Sequence, residues 1–223
     1  MTFYIHCEGV TDYAVIPVLM KKVLKTYDID VKWVRRDELR KVKTHRKSNI
    51  KISGHYKLVK ALATHSLIYG SKYIAYHQDA DGKFTVVYDA IISEFKPLQE
   101  NGFSCLAIVP KETVESWLLS DDSAYPSIPN DPKLPSEPEE IWGLKNDKNS
   151  NHPYNYFVRV LAQFGLPDNR DTYAQIAEKT CIEVLKRRCP ESFSKFYADT
   201  ESFFAKKASC DERKSPCKAI KGF

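Results

Sequence analysis

At 223 residues, 43% apolar and 28% charged, the chain can bury a real core, and wholesale disorder is excluded. Its 34 Lys/Arg against 29 Asp/Glu give a net charge of +5, too mild for a histone-like tail and compatible with nucleic-acid binding. No apolar run approaches the roughly 18 residues of a membrane span. The opening MTFYIHCEG lacks the basic and apolar regions of a signal peptide. Cys7, Cys105, Cys181, Cys189, Cys210 and Cys217 are scattered and read as reduced thiols, so a cytoplasmic location is expected.

Taken in order, Phe3, Ile5 and Cys7 alternating with Tyr4 and His6 predict a short strand. Gly9 breaks it, and Thr11 is placed to cap a helix carrying Ala14, Val15, Val18 and Leu19, with Pro17 as a kink or a later start. Val31–Val34 reads as a second strand, Tyr56–Leu67 as a helix, and Lys72–Gln78 as a strand ending in Asp79-Ala80-Asp81-Gly82. Val86–Phe95 reads as a helix, Ser104–Val109 as a strand and Lys111–Leu119 as a helix. This alternation predicts an α/β domain over residues 1–122 with a mainly parallel sheet flanked by helices. Residues 123–153 form a connection carrying Pro126, Pro129, Pro132, Pro135, Pro138 and Pro153. A helical part is expected over 154–206, with helices at Tyr154–Phe164, from Asp171 and from Pro190, and a polar tail over 207–223.

The charge is uneven. Residues 21–60 hold fourteen Lys/Arg and four Asp/Glu, a local +10 that leaves −5 for the rest of the chain. Within this block Arg35, Arg36, Arg40, Lys41, Lys43, Arg46 and Lys47 are candidate contacts to a phosphate backbone; the ordinary alternative is a solvated face.

Acidic residues recur at predicted strand ends. Glu8 follows the first strand, with Asp12 one helical turn on; Asp79 and Asp81 follow another, and on extended backbone both would face one side. Glu112 and Glu115 follow a third and, three apart, would share a helix face. Singly, each set also reads as a helix-dipole complement or an acidic turn. Jointly, the topology carries them to one edge of the sheet, where open parallel sheets bind ligands. Carboxylates without a Cys or His cage select Mg²⁺ or Mn²⁺, which can orient water for phosphodiester cleavage.

These motifs, in this order, resemble the Toprim domain of topoisomerases, bacterial primases and the overcoming-lysogenization-defect nucleases. EGVTD, with Asp12 four residues after Glu8, looks most like the nuclease branch. The ordered set EGxTD, DADG, VESWLL and RCPESFSKF looks like an uncharacterised bacterial Toprim-like family often encoded beside ATPases in defence clusters. The resemblance implies a Toprim-like fold and a Mg²⁺- or Mn²⁺-dependent nuclease acting on DNA or RNA. Its catalytic residues would be Glu8, Asp79 and Asp81, with Asp12 and Glu115 completing the metal shell. It also implies an ATPase partner and a role in anti-phage defence. His77-Gln78 depart from the more apolar Toprim strand, and Lys111 or Lys83 is the nearest match to the basic residue some nucleases use. The rivals are a non-hydrolytic nucleic-acid or ribonucleoprotein module on a vestigial Toprim fold, and a regulatory subunit active only when released by a partner.

Cysteine spacing argues against zinc, no phosphate-binding P-loop is present, and Trp33, Trp117 and Trp142 read as packing residues, with a partner contact at Trp142, after the run of prolines, as the alternative.

Overall fold

The structure, a computed structural model, describes residues 1–24, 28–42, 54–128 and 132–214, with side chains described from Lys57 in the first helix after the second gap and up to Phe204 at the C-terminal end. Four strands, β1 (Thr2–His6), β2 (Asp30–Trp33), β3 (Tyr73–His77) and β4 (Ser104–Ile108), pair in the order β2-β1-β3-β4, all parallel. The connecting helices are α1 (Val10–Val23), α2 (Arg36–Lys41), α3 (Gly54–Ile68) and α4 (Phe84–Glu100). After β4 come α5 (Val114–Leu118), a 3₁₀ turn (Asp122–Ala124), α6 (Pro153–Gln163), α7 (Arg170–Lys179), α8 (Ile182–Arg188) and α9 (Ser192–Lys214).

Side-chain alternation sends each strand into two cores. Phe3, Ile5, Cys7, Ala75, Leu106 and Ile108 pack with α1 and with Phe157, Tyr173, Phe193 and Phe196 of the later helices. Tyr4, Ile74, Tyr76, Ala107 and Val109 pack on the other face with Val59 and Leu62 of α3 and Ile91 and Phe95 of α4. The expected α/β fold with a helical C-terminal part is what the chain adopts, as a sheet covered on both faces. The C-terminal helices share the α1-side core. At the edge strand β4, the Tyr88 hydroxyl of α4 donates to Asp199 of α9 at 2.5 Å, tying the two layers together.

Several local expectations are corrected. The cap of α1 is Gly9, not Thr11, and Pro17 lies inside an unbroken helix. Helix α2 follows β2 directly; its single buried residue, Leu39, leaves almost no apolar pattern to read. Helix α5 starts at Val114 rather than Lys111, so Glu112 lies before the Thr113 cap and does not share a helix face with Glu115. Asn169, not Asp171, caps α7, its side chain accepting from the Thr172 amide at 2.9 Å. The chain breaks between α7 and α8 at Thr180, and α9 starts at Ser192, past Pro190.

The four described cysteines, Cys7, Cys105, Cys181 and Cys189, are free. Among the described residues, no helix is long and apolar enough to cross a membrane.

Candidate functional site

From β1 the chain leaves toward β2 on one side, and from β3 toward β4 on the other. Beyond the carboxyl ends of these two neighbours lies the topological switch point, the crevice where open α/β sheets bind ligands. A cleft of about 260 Å³ opens there, lined by Glu8, Gly9, Thr11, Asp12, Asp79, Asp81, Thr113, Glu115, Lys145 and Tyr154. All five acids expected at a metal shell face it.

The acids are held by the segments that follow β1, β3 and β4. Gly9 has no side chain to cap α1; instead its amide donates to Asp12 Oδ2 at 2.7 Å, which fixes the Asp12 carboxylate. Gln78 donates to Glu8 Oε2 at 2.8 Å, joining the loops after β3 and β1. Asp79 and Asp81 do not project from one side of an extended strand, because the strand stops at His77. Asp81 turns into the left-handed region at φ +45° and Gly82 follows at +77°. The turn is bonded to the loop after β4: the amides of Ala80, Asp81 and Gly82 donate to the carbonyls of Pro110, Glu112 and Lys111 at 3.2, 3.4 and 2.9 Å. Left-handed backbone at a non-glycine residue costs energy and persists where surrounding bonds hold it. Gly82 also lies against Glu112: a Cβ there would stand 2.9 Å from Glu112 Oε1. Gly82→Ala is therefore expected to lower stability by about 1–2 kcal/mol, read as a lower urea midpoint with unchanged slope.

His77 is the residue the sequence undervalued. Its ring is fully buried, with Nδ1 3.6 Å from Asp12 Oδ2 and Nε2 3.2 Å from Asp79 Oδ1. The Glu8 amide also approaches Nδ1, at 3.5 Å. The imidazole thus stands between the acids of two loops. The Nε2–Asp79 contact is close but misaligned for a hydrogen bond, and both atoms are buried without a hydrogen-bond partner. Burial opposes charge on the ring; Asp12, then Asp79 and Glu8, outweigh it, and its pKa is raised.

The carboxyls are strained electrostatically. Burial, then the charge of Asp79, raises the pKa of Glu8. Burial raises that of Asp79, with His77 partly offsetting and Asp12 and Asp81 reinforcing. Glu115 is pushed up to about 7 by burial and then by Asp79, although it sits in the first turn of α5, where the helix dipole favours an anion. Glu112 is raised by burial and by Asp81.

The basic residues divide. Arg35, Arg36, Arg40 and Lys41 are exposed at and along α2, just beyond the carboxyl end of β2. The Arg35 guanidinium is spent on Asp37, in two bonds of 2.7 and 3.0 Å. The charge of Arg36 is felt at His6 and Tyr76, the strand ends beside the cleft. Lys43, Arg46 and Lys47 lie outside the described residues. Lys111 is turned away to Glu140 and Glu191, at 2.6 and 2.7 Å, and Lys83 is exposed beside the start of α4. Among the described residues, the cation lining the cleft is Lys145, joined by Tyr154. Both were missed: the connection carrying Lys145 has no periodicity to say where it folds back, and Tyr154 reads as an ordinary helix residue.

Among the described residues, no three His, Cys, Asp or Glu side chains close around a point that could hold a metal ion. The donors are nevertheless hard oxygens, those of Glu8, Asp79 and Glu115 have raised pKa values, and Asp79 Oδ1 is buried without a hydrogen-bond partner. That set fits a cation such as Mg²⁺, which keeps several waters, takes one or two carboxylates and leaves the rest of its shell to substrate phosphate. The chain matches no family model, no curated protein and no solved structure.

Proposed function

We propose that the chain is a Toprim-like nuclease that hydrolyses phosphodiester bonds of DNA or RNA with Mg²⁺ or Mn²⁺. One observation carries the reading: five carboxylates from the segments after three strands line one cleft at the switch point, with Glu8, Asp79 and Glu115 raised by burial and by neighbouring carboxylates. Neutralisation by a divalent cation is the direct relief for such repulsion. Glu8, Asp79 and Asp81 are the residues to hold the cation, with Asp12 and Glu115 around them. The cation would supply Lewis-acid polarisation and a more acidic water. Glu8, with a raised carboxyl pKa, would take the proton of the attacking water. Lys145 supplies positive charge for a phosphate, and the exposed cations of α2 hold backbone further along the same edge. Action beside an ATPase partner in antiviral defence rests on the family resemblance, and a cytoplasmic location on the scattered cysteines.

The open spacing of the carboxylates favours a second reading, a nucleic-acid module without hydrolysis. Purified protein incubated with plasmid DNA and with tRNA, in Mn²⁺ or in EDTA, separates the two, and each substrate is repeated with a co-purified ATPase. The nuclease reading expects cleavage in Mn²⁺ and none in EDTA. It also expects Lys145→Ala to cut that activity by about 10- to 100-fold. Lys111→Ala leaves activity near the parent's and lowers thermal stability instead, because its ammonium bridges Glu140 and Glu191. Steeply salt-dependent binding without cleavage under every condition would establish the binding module.

A further inference from the structure

We propose that Trp142, together with Lys145, forms a stacking subsite for one unpaired nucleotide of a single-stranded substrate at the mouth of the acidic cleft. The proposal rests on the nucleic-acid reading above and narrows its substrate class. Trp142 and Leu144 are 73% and 72% exposed, among the most exposed large apolar side chains described.

This exposure is not slack. Gly143 between them is packed so closely that a Cβ would stand 2.7 Å from the His152 amide nitrogen and 2.9 Å from that of Asn151. The buried Asn155 side chain donates to the carbonyls of Leu144, Lys145 and Asp147 at 3.3, 3.0 and 2.8 Å. Arg159 donates to the carbonyls of Lys148 and Ser150, both at 2.8 Å. The loop is fastened from within, and the indole is held out in water by a fixed backbone.

Three residues further on, Lys145 lines the cleft. Three residues span at most about 10 Å. The backbone at Trp142 therefore stands within about 10 Å of a cleft-lining residue, and in the proposed pose a base on its ring directs its phosphate toward the Lys145 ammonium and the next phosphodiester toward the carboxylates. An aromatic face accepts any base whose own face is free, which describes a single strand and not the interior of a duplex. Two apolar side chains are far fewer than the roughly 20–30 residues a side of a stable protein interface, and the flanking cation suits a phosphate.

The test is fluorescence anisotropy with labelled oligothymidine, oligouridine and a duplex of the same length. Each has roughly 12 nucleotides per strand, within the site sizes such surfaces use, and Ca²⁺ replaces Mg²⁺ to hold the substrate without turnover. Trp142→Ala is expected to weaken single-strand binding by about 5- to 150-fold. Trp142→Phe should keep most of the affinity, and duplex binding should not change. The two single-strand arms tell whether the site prefers DNA or RNA. In the parent, binding quenches tryptophan emission and Trp142→Ala loses the quench, since Trp117 is fully buried and Trp33 stacks on Tyr13 at 4.9 Å. Parent-like binding by Trp142→Ala, or equal losses on single strand and duplex, overturns the subsite and leaves the nuclease reading standing. If the parent binds none of the three, the nucleic-acid reading falls and the subsite with it.

Discussion

Replacing Asp79 with Asn is expected to lower Mn²⁺-dependent cleavage on the order of 10³-fold while making the metal-free protein more stable at pH 8. The two effects have one cause. Asp79 ionises against burial and the charges of Asp12 and Asp81, and His77 offsets only part of that cost. An amide of the same shape does not ionise, so the folded protein no longer carries the penalty. It is also a poorer ligand for a hard cation and leaves the reacting phosphate without its counter-charge. A residue kept for packing would behave in the opposite way, losing stability when changed. The measurements are a cleavage time course and a thermal melt in EDTA, run side by side on both proteins.

The second large effect concerns pH. Glu115 is an acid whose folded pKa, about 7, lies above the ordinary 4.5. Between these values the unfolded chain has already released its proton while the folded chain still holds it. The unfolded state therefore binds fewer protons, and stability falls as pH rises through this window. The metal-free protein is expected to lose about 3 kcal/mol from this group between pH 4.5 and 7 and to level off above it. Glu115→Gln should abolish that portion of the slope and raise the melting temperature at pH 8 by about 5–10 °C. Added Mn²⁺ should stabilise the parent most at pH 8, where the carboxylates are ionised, and least near pH 5. A melting temperature of the parent in EDTA that rises steadily from pH 5 to pH 8 would contradict the assignment of Glu115.

What the sequence made legible follows from the periodicity of a buried parallel sheet. The alternation of Phe3 and Ile5 with Tyr4 found β1, because both sets are buried, each in its own core. Glu8, Asp79 and Asp81 could be brought to one edge by topology alone, since parallel strands end on the same side. Side chains whose role depends on distant chain segments were not legible. His77 reads only as a polar departure from an apolar strand until β1 and β3 are neighbours and its ring stands between Asp12 and Asp79. Lys145 reads as a loop lysine until Asn155 and Arg159 fold the connection back over the cleft. Lys111, chosen for being near the acids in sequence, is drawn off by Glu140 and Glu191, which only the fold brings close. The break between α7 and α8 carries no glycine or proline. It is closed by the Thr180 hydroxyl donating to the Ile176 carbonyl at 2.8 Å and by Lys22, from α1, donating to carbonyls at the end of α7.

The central claim is that the carboxylates at the switch point hold a divalent cation that drives phosphodiester cleavage. It is tested most directly by assaying the parent and Asp79→Asn, co-purified with any ATPase partner, on plasmid DNA and tRNA in Mn²⁺ and in EDTA. Cleavage by the parent in Mn²⁺ alone, with loss on the order of 10³-fold in the variant, is the predicted result. Parent-like cleavage by Asp79→Asn, or undiminished cleavage by the parent in EDTA, would contradict it.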